Sequence, residues 1–112
     1  MRLSKNFQQS VAALAVPVEM TALHGAIGVA KESGELLDAV YRNVFYRQPI
    51  DRDNVMEELG DILFYAELLR QSLGLSWETI EQRNVEKLKA RYPEGVFSTD
   101  DATARKDKTD GE

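Results

Sequence analysis

The chain has 112 residues and a formal net charge of −5, from 14 Lys and Arg against 19 Asp and Glu. This length supports one domain, and the acidic balance argues against electrostatic capture of nucleic acid or an anionic membrane, since both need a clustered cationic face. Because the chain has no Cys, a disulfide framework, a thiolate metal site and a Cys nucleophile are also excluded.

The first half of the chain has the apolar spacing of helices. A short helix is predicted before Pro17, and a long helix from Glu19 to Tyr46 ends ahead of Pro49. Asp51 is a suitable N-cap for a second long helix, from Arg52 to about Ser72. No stretch shows the alternation of a strand, so the predicted class is all-α.

The second half of the chain predicts one more helix and a polar tail. Gly74 stops the preceding helix, and Ser76 can cap a helix that reaches about Arg91. We therefore predict a four-helix-bundle-like domain over residues 1–97, with two long antiparallel helices. Residues 98–112 are almost entirely polar and predict a flexible tail.

Two acidic motifs share the pattern acid, any residue, Gly, acid, aliphatic, Leu. Glu32 and Glu35 belong to the first long helix, and Glu58 and Asp61 to the second. Acids three positions apart lie about 60° apart around a helix, so each motif turns two carboxylates to one face. If the two helices pair antiparallel, these carboxylates can converge on a hard divalent cation, above all Mg²⁺, with Mn²⁺ as a substitute. The alternative is a pair of ordinary solvated acidic faces.

Small residues accompany both motifs. Gly34 and Gly60 occupy the same offset inside their helices, where Gly costs about 1 kcal/mol relative to Ala, so we expect close helix packing at both. Other small residues share the face of the first motif, as if leaving room for a ligand or another backbone. They are Thr21, Gly25, Gly28 and Ala39.

Three further residues lie near the acidic faces. Tyr65 follows Asp61 by one helical turn and can present its ring or hydroxyl to a bound ligand, and His24 lies on the face of the first motif. The role of Glu57 is left open. It can be an extra metal ligand, a base that acts through water, or a solvated ion-pair partner of Arg52 or Arg70.

A basic cluster lies on the last predicted helix. Asn84, Lys87 and Arg91 share one face and offer an amide, a point charge and a guanidinium fork suited to phosphate oxygens. The alternative is a solvated helix end. Lys31 is a further cation near the first acidic motif, whereas Trp77 is interpreted as a core or interface aromatic.

The acidic motifs, together with the blocks that surround them, resemble a known family. The blocks HGAIGVAKESGELLDAV, VFYRQPID, EELGDILFY and RNVEKLKARYPEGVF follow in this order over about residues 20 to 97. They are similar to the short single-domain MazG-type all-α nucleoside triphosphate pyrophosphohydrolases of bacteria and phages. One departure is Val96 between Gly95 and Phe97, where similar sequences often have Gly-Phe directly. This insertion leaves the placement of the C-terminal segment, including Arg105, open.

The resemblance implies a function and a set of site residues. Glu32, Glu35, Glu58 and Asp61 would be the catalytic, Mg²⁺-binding residues, and water would attack the triphosphate to release a nucleoside monophosphate and pyrophosphate. The implied substrate contacts are His24, Lys31, Tyr65, Asn84, Lys87 and Arg91. A cytoplasmic homodimer or homotetramer acting in nucleotide pool sanitation or control is also implied.

Other functions remain open at this point. The substrate can be another nucleotide, such as dUTP, dUDP, dCTP or phosphoribosyl-ATP, and a non-catalytic helical oligomerisation module is a different class. A ferritin-like di-iron site is excluded because it requires Glu-x-x-His twice and the chain has one His, His24. Neither a nucleic-acid polymer nor a membrane is an expected partner.

Overall fold

The structure is a computed structural model that describes residues 2–15, 21–105, 107 and 108. Across these residues the chain forms α-helices and no strand, which confirms the all-α prediction. The helices are α1 (Lys5–Leu14), α2 (Thr21–Phe45), α3 (Arg52–Leu73), α4 (Trp77–Arg91) and α5 (Thr99–Ala104). Pro17 and the predicted helix start at Glu19 lie outside the described residues.

The predicted capping residues fix the ends of α3 and the start of α4. The Asp51 carboxylate accepts the backbone N–H of Asn54 at 3.1 Å, and the Ser76 hydroxyl accepts that of Thr79 at 3.4 Å. Gly74 ends α3 in the left-handed region, with φ of 63°, where a side chain would be strained. Local sequence chemistry therefore sets these boundaries.

The chain divides into two compact units. One covers Arg2–Leu75 with α1, α2 and α3, and the other begins at Ser76 with α4 and α5. Within the second unit the C-terminal segment is not wholly irregular, because Ser98 caps α5 by accepting the Asp101 N–H at 3.2 Å. Part of the segment after residue 97 is therefore helical, whereas its flexibility and the domain boundary at 97 stay predictions.

In the first unit, α2 and α3 lie antiparallel against each other. A Cβ atom added to Gly25 would lie 3.0 Å from the Leu69 backbone nitrogen, and one added to Gly28 would overlap the ring of Tyr65. From Gly25 to Gly28 the residue numbers rise along α2, while those of the contacted residues on α3 fall from Leu69 to Tyr65. The small residues of α2 therefore make room for α3 itself, one of the two alternatives that the sequence left open.

A buried carboxylate joins α1 to α3. Glu67 is fully buried and accepts hydrogen bonds from Arg70 Nε and Gln71 Nε2, both at 2.6 Å. Gln71 Nε2 also donates to the Gln8 carbonyl of α1 at 2.9 Å. Arg70 is thus the partner of Glu67, which removes it as the expected partner of Glu57.

A candidate divalent-cation site between two helices

The antiparallel pairing of α2 and α3 brings acids of both motifs together. One carboxylate oxygen each from Glu32 on α2 and from Glu58 and Asp61 on α3 lies within 4.8 Å of the others. The three side chains are partly buried. Carboxylates held this close repel one another, and a hard divalent cation that takes oxygen ligands would offset the repulsion.

Glu58 is the most perturbed member of this cluster. Burial raises the pKa of its carboxyl from 4.5 to about 7, assisted by a hydrogen bond of the protonated group to Glu32 and by the charges of Glu32, Asp61 and Glu35. Its Oε2 atom is buried and has no hydrogen-bond partner in the described part of the chain. A buried oxygen of this kind normally finds a donor or a cation, so the site favours a positively charged ligand.

The fourth predicted acid, Glu35, differs from the other three. Its side chain is exposed and its oxygens are not part of the close group, although its charge still contributes to the raised pKa of Glu58.

The motif glycines also depart from expectation. A Cβ added to Gly34 or Gly60 would meet no atom of the described residues within 4 Å, so the predicted close packing at these positions is wrong within the described part of the chain.

Tyr65 and His24 lie next to each other, Tyr65 one helical turn after Asp61 and His24 about two turns before Glu32. Their ring centroids are 5.6 Å apart with an interplanar angle of 72°, and the Tyr65 ring occupies the space that Gly28 leaves open. Phe64 contacts the same ring edge-on at 5.2 Å. The His24 Nδ1 atom is buried and has no hydrogen-bond partner in the residues described. His24 and Tyr65 therefore form one packed pair beside the acidic cluster.

Two of the predicted basic-cluster residues line a groove on α4. This is an open groove on one helix, and Asn84 and Lys87 line it together with Trp77, Arg83 and the acidic Glu81. The sequence analysis predicted Asn84 and Lys87 as substrate contacts, whereas it interpreted Trp77 as a core or interface aromatic. The groove thus carries an aromatic ring, an amide and charges of both signs.

Arg91, the third member of the basic cluster, is paired inside its own unit. Its Nε and Nη2 atoms donate to the two carboxylate oxygens of Asp107 at 2.7 and 3.1 Å. The Asp107 side chain is 1% exposed, and this pairing lowers the pKa of Asp107 and raises that of Arg91. Sequence reasoning missed Asp107, because its position in a polar tail has no periodic relation to α4.

Lys31 and Glu57, the remaining candidates of the sequence analysis, are both exposed. Lys31 lies on α2 and Glu57 on α3, one residue before Glu58. Neither belongs to the group of close carboxylates, and the roles predicted for them stay predictions.

The fold and the cluster define an all-α protein whose acids from two antiparallel helices meet in an arrangement suited to a divalent cation. The model of the family described as "MazG nucleotide pyrophosphohydrolase domain" matches residues 24–96, so the chain belongs to this family. The match includes both acidic motifs and α4, in agreement with the resemblance seen in the sequence.

The chain is also similar to a curated phage protein. The chain is 31% identical over 75 residues to the "Gene 37 protein" of Mycobacterium phage L5, an alignment that covers 63% of this chain and 66% of the phage protein. The match thus spans just under two thirds of that relative. No solved structure matches the chain. None of the helices described is long and apolar enough to span a bilayer.

Proposed function

We propose that the protein hydrolyses a (deoxy)nucleoside triphosphate to a nucleoside monophosphate and pyrophosphate in a Mg²⁺-dependent reaction. The observation that carries the proposal is the convergence of Glu32, Glu58 and Asp61 across the interface of α2 and α3. Membership of the MazG nucleotide pyrophosphohydrolase domain family supports the same reaction class. The biological role we propose is control or sanitation of a nucleotide pool in the cytoplasm.

The residues of the cluster fit a hard divalent cation. They supply carboxylate oxygens from two helices, and the buried Glu58 Oε2 atom has no hydrogen-bond partner in the described chain. Glu32, Glu58 and Asp61 would hold the cation, and Glu35 would add charge from its exposed position. A bound Mg²⁺ would polarise phosphate oxygens and lower the pKa of a bound water.

The charge of the site gives the cation a second role in the proposal. Without a cation the clustered carboxylates repel a polyanionic substrate, and Glu58 stays partly protonated near neutral pH because its pKa is raised to about 7. A bound cation would favour the ionised carboxylate of Glu58 and would offset the repulsion of a triphosphate. The chain therefore admits a triphosphate only after the acids are neutralised.

For residues of α4 and for Tyr65 we propose individual substrate contacts. Lys87 would offset phosphate charge, Asn84 would orient a phosphate or ribose oxygen, and Arg91 would donate its remaining N–H groups while Asp107 holds it. On α3, Tyr65 would border the sugar or base. We propose no base preference, so dUTP, dCTP and phosphoribosyl-ATP stay among the candidate substrates.

Product analysis with a panel of nucleotides tests this proposal. Purified protein with Mg²⁺ is incubated with canonical, modified and diphosphate nucleotides, and pyrophosphate and orthophosphate are measured separately. We expect pyrophosphate from at least one triphosphate, a loss of about 100-fold or more in Asp61→Asn, and nearly full activity in Asp53→Asn, an equivalent change at an exposed position of α3. Orthophosphate alone would contradict the proposed cleavage. Absence of turnover with every nucleotide would favour the non-catalytic oligomerisation module.

A further inference from the structure

The last described residues of the chain fold back onto α4. Arg105 follows α5 in the left-handed region, with φ of 49°, and its carbonyl accepts the Lys108 N–H at 2.9 Å. After this turn the Asp107 carboxylate accepts two hydrogen bonds from the guanidinium of Arg91, 16 residues earlier in the chain. The region that the family model matches ends at residue 96, so Asp107 lies outside it.

The contact occupies one edge of the Arg91 guanidinium. A guanidinium has five N–H groups; Asp107 takes two of them, at Nε and Nη2, and the adjacent Tyr92 also interacts with this side chain. N–H groups therefore remain for another acceptor. The Asp107 side chain is 1% exposed, whereas that of Arg91 is 20% exposed. An incoming anion can thus reach the guanidinium but not the carboxylate that holds it.

Arg91 shares its face of α4 with Lys87 and Asn84, which lie one and two helical turns earlier. Lys87 is exposed and forms no ion pair with any residue of the described chain. It can therefore offer an unpaired positive charge to an anion. The charge of Arg91 is largely offset by Asp107, so the contribution of Arg91 is the fixed direction of its hydrogen bonds.

We infer that Asp107 is a positioning residue, which fixes the Arg91 guanidinium in the orientation that binds a phosphate group of the substrate. The inference rests on the proposed function, in which Arg91 contacts the substrate. An arginine side chain that is fixed before binding loses less conformational freedom when the anion arrives. The segment after α5 would thus act on the substrate through Arg91.

A titration with inorganic pyrophosphate tests the inference without any turnover. The backbone amide signals of α4 and the Nε–H signal of Arg91 are followed by NMR in the full chain, without Mg²⁺, so that the proposed cation site plays no part. We expect saturable shifts in the wild type and binding about tenfold weaker in Asp107→Asn. Asp107→Glu should restore part of the affinity, because it keeps a carboxylate that can accept two hydrogen bonds. Asp100→Asn is the matched control, since it removes the same charge from an exposed position of α5, and it should bind as the wild type does.

The Arg91 Nε–H signal distinguishes a carboxylate that positions Arg91 from one that competes with the anion. If Asp107 positions Arg91, this N–H should stay protected from solvent exchange while pyrophosphate is bound. Faster exchange in the complex, or tighter binding by Asp107→Asn than by Asp100→Asn, would mean that pyrophosphate displaces Asp107, and would overturn the inference. Unshifted α4 signals in the wild type, or equal affinity in all the variants, would overturn it too. Circular dichroism checks folding, and if Asp107→Asn does not fold, exchange in the wild-type complex decides the question.

Turnover separates this inference from the proposed function. With a triphosphate that the wild type hydrolyses, Asp107→Asn should raise KM about tenfold and change kcat little, because the contact acts on binding. An unchanged KM would contradict the inference and leave the proposed function intact. Pyrophosphate binding that depends on Asp107, without turnover of any nucleotide, would contradict the proposed function alone.

Discussion

The contact between Gly28 and Tyr65 gives the sharpest prediction about the packing of α2 on α3. A Cβ on Gly28 would overlap the Tyr65 ring near its attachment point, at Cγ and Cδ1, so rotation of the distal ring edge alone cannot relieve the clash. His24 and Phe64 contact the same ring edge-on, at 5.6 and 5.2 Å, and hold it in place. The substitution Gly28→Ala therefore forces either the ring or a helix to move.

The expected cost follows from two opposing effects. Overpacking a filled interface costs about 1–3 kcal/mol, and the upper end applies here because the ring is held on two sides. Alanine in place of glycine within a helix recovers about 1 kcal/mol. Gly28→Ala should thus lower the free energy of unfolding by about 2 kcal/mol. Gly60→Ala, where a Cβ meets no atom of the described residues within 4 Å, should raise it by about 1 kcal/mol.

Urea unfolding followed by circular dichroism measures both changes at one protein concentration. The two variants carry the same chemical change in a helix interior, so helix propensity cancels between them and about 3 kcal/mol of contrast remains. Equal stabilisation by Gly28→Ala and Gly60→Ala would refute the close approach of α2 and α3 at Tyr65.

The remaining predictions concern charge. Because the folded pKa of Glu58 is raised from 4.5 to about 7, the metal-free protein should lose stability as pH rises through this interval, and Glu58→Gln should remove that slope in unfolding titrations. Mg²⁺ affinity measured by calorimetry should rise over the same interval, since binding displaces the proton. Asp107→Asn should lower the Tm and speed solvent exchange of the Arg91 Nε–H seen by NMR; unchanged exchange would contradict the pairing. Glu35→Gln should weaken Mg²⁺ binding less than Asp61→Asn, because Glu35 is exposed and outside the close group.

Sequence periodicity predicted the long helices because their boundaries depend on local chemistry. Asp51, Ser76 and Gly74 act through hydrogen bonds or backbone angles confined to a few residues, and the structure has them at the predicted ends. The pairing of the two acidic motifs was also predictable, since their spacing on each helix fixes a face and antiparallel pairing brings the faces together. The convergence of Glu32 with Asp61 follows from this geometry.

Several departures from prediction depend on contacts distant in sequence. Gly34 and Gly60 look alike in the sequence, yet neither contacts another element of the described chain, whereas Gly25 and Gly28 do. A helical wheel gives the face on which a glycine lies but not which residue of another helix fills the space. The pairing of Arg91 with Asp107 is of the same kind, because the tail returns to α4 through contacts that composition does not encode.

Calorimetric titration of the metal-free protein with Mg²⁺, at about pH 8 where Glu58 is mostly ionised, tests the central claim most directly. Wild type and Asp53→Asn should bind Mg²⁺ with similar affinity, while Glu58→Gln and Asp61→Asn should bind it about tenfold or more weakly. Circular dichroism of the same samples checks that the variants are folded. No binding by the wild type, or equal binding by all four proteins, would contradict a cation site between α2 and α3.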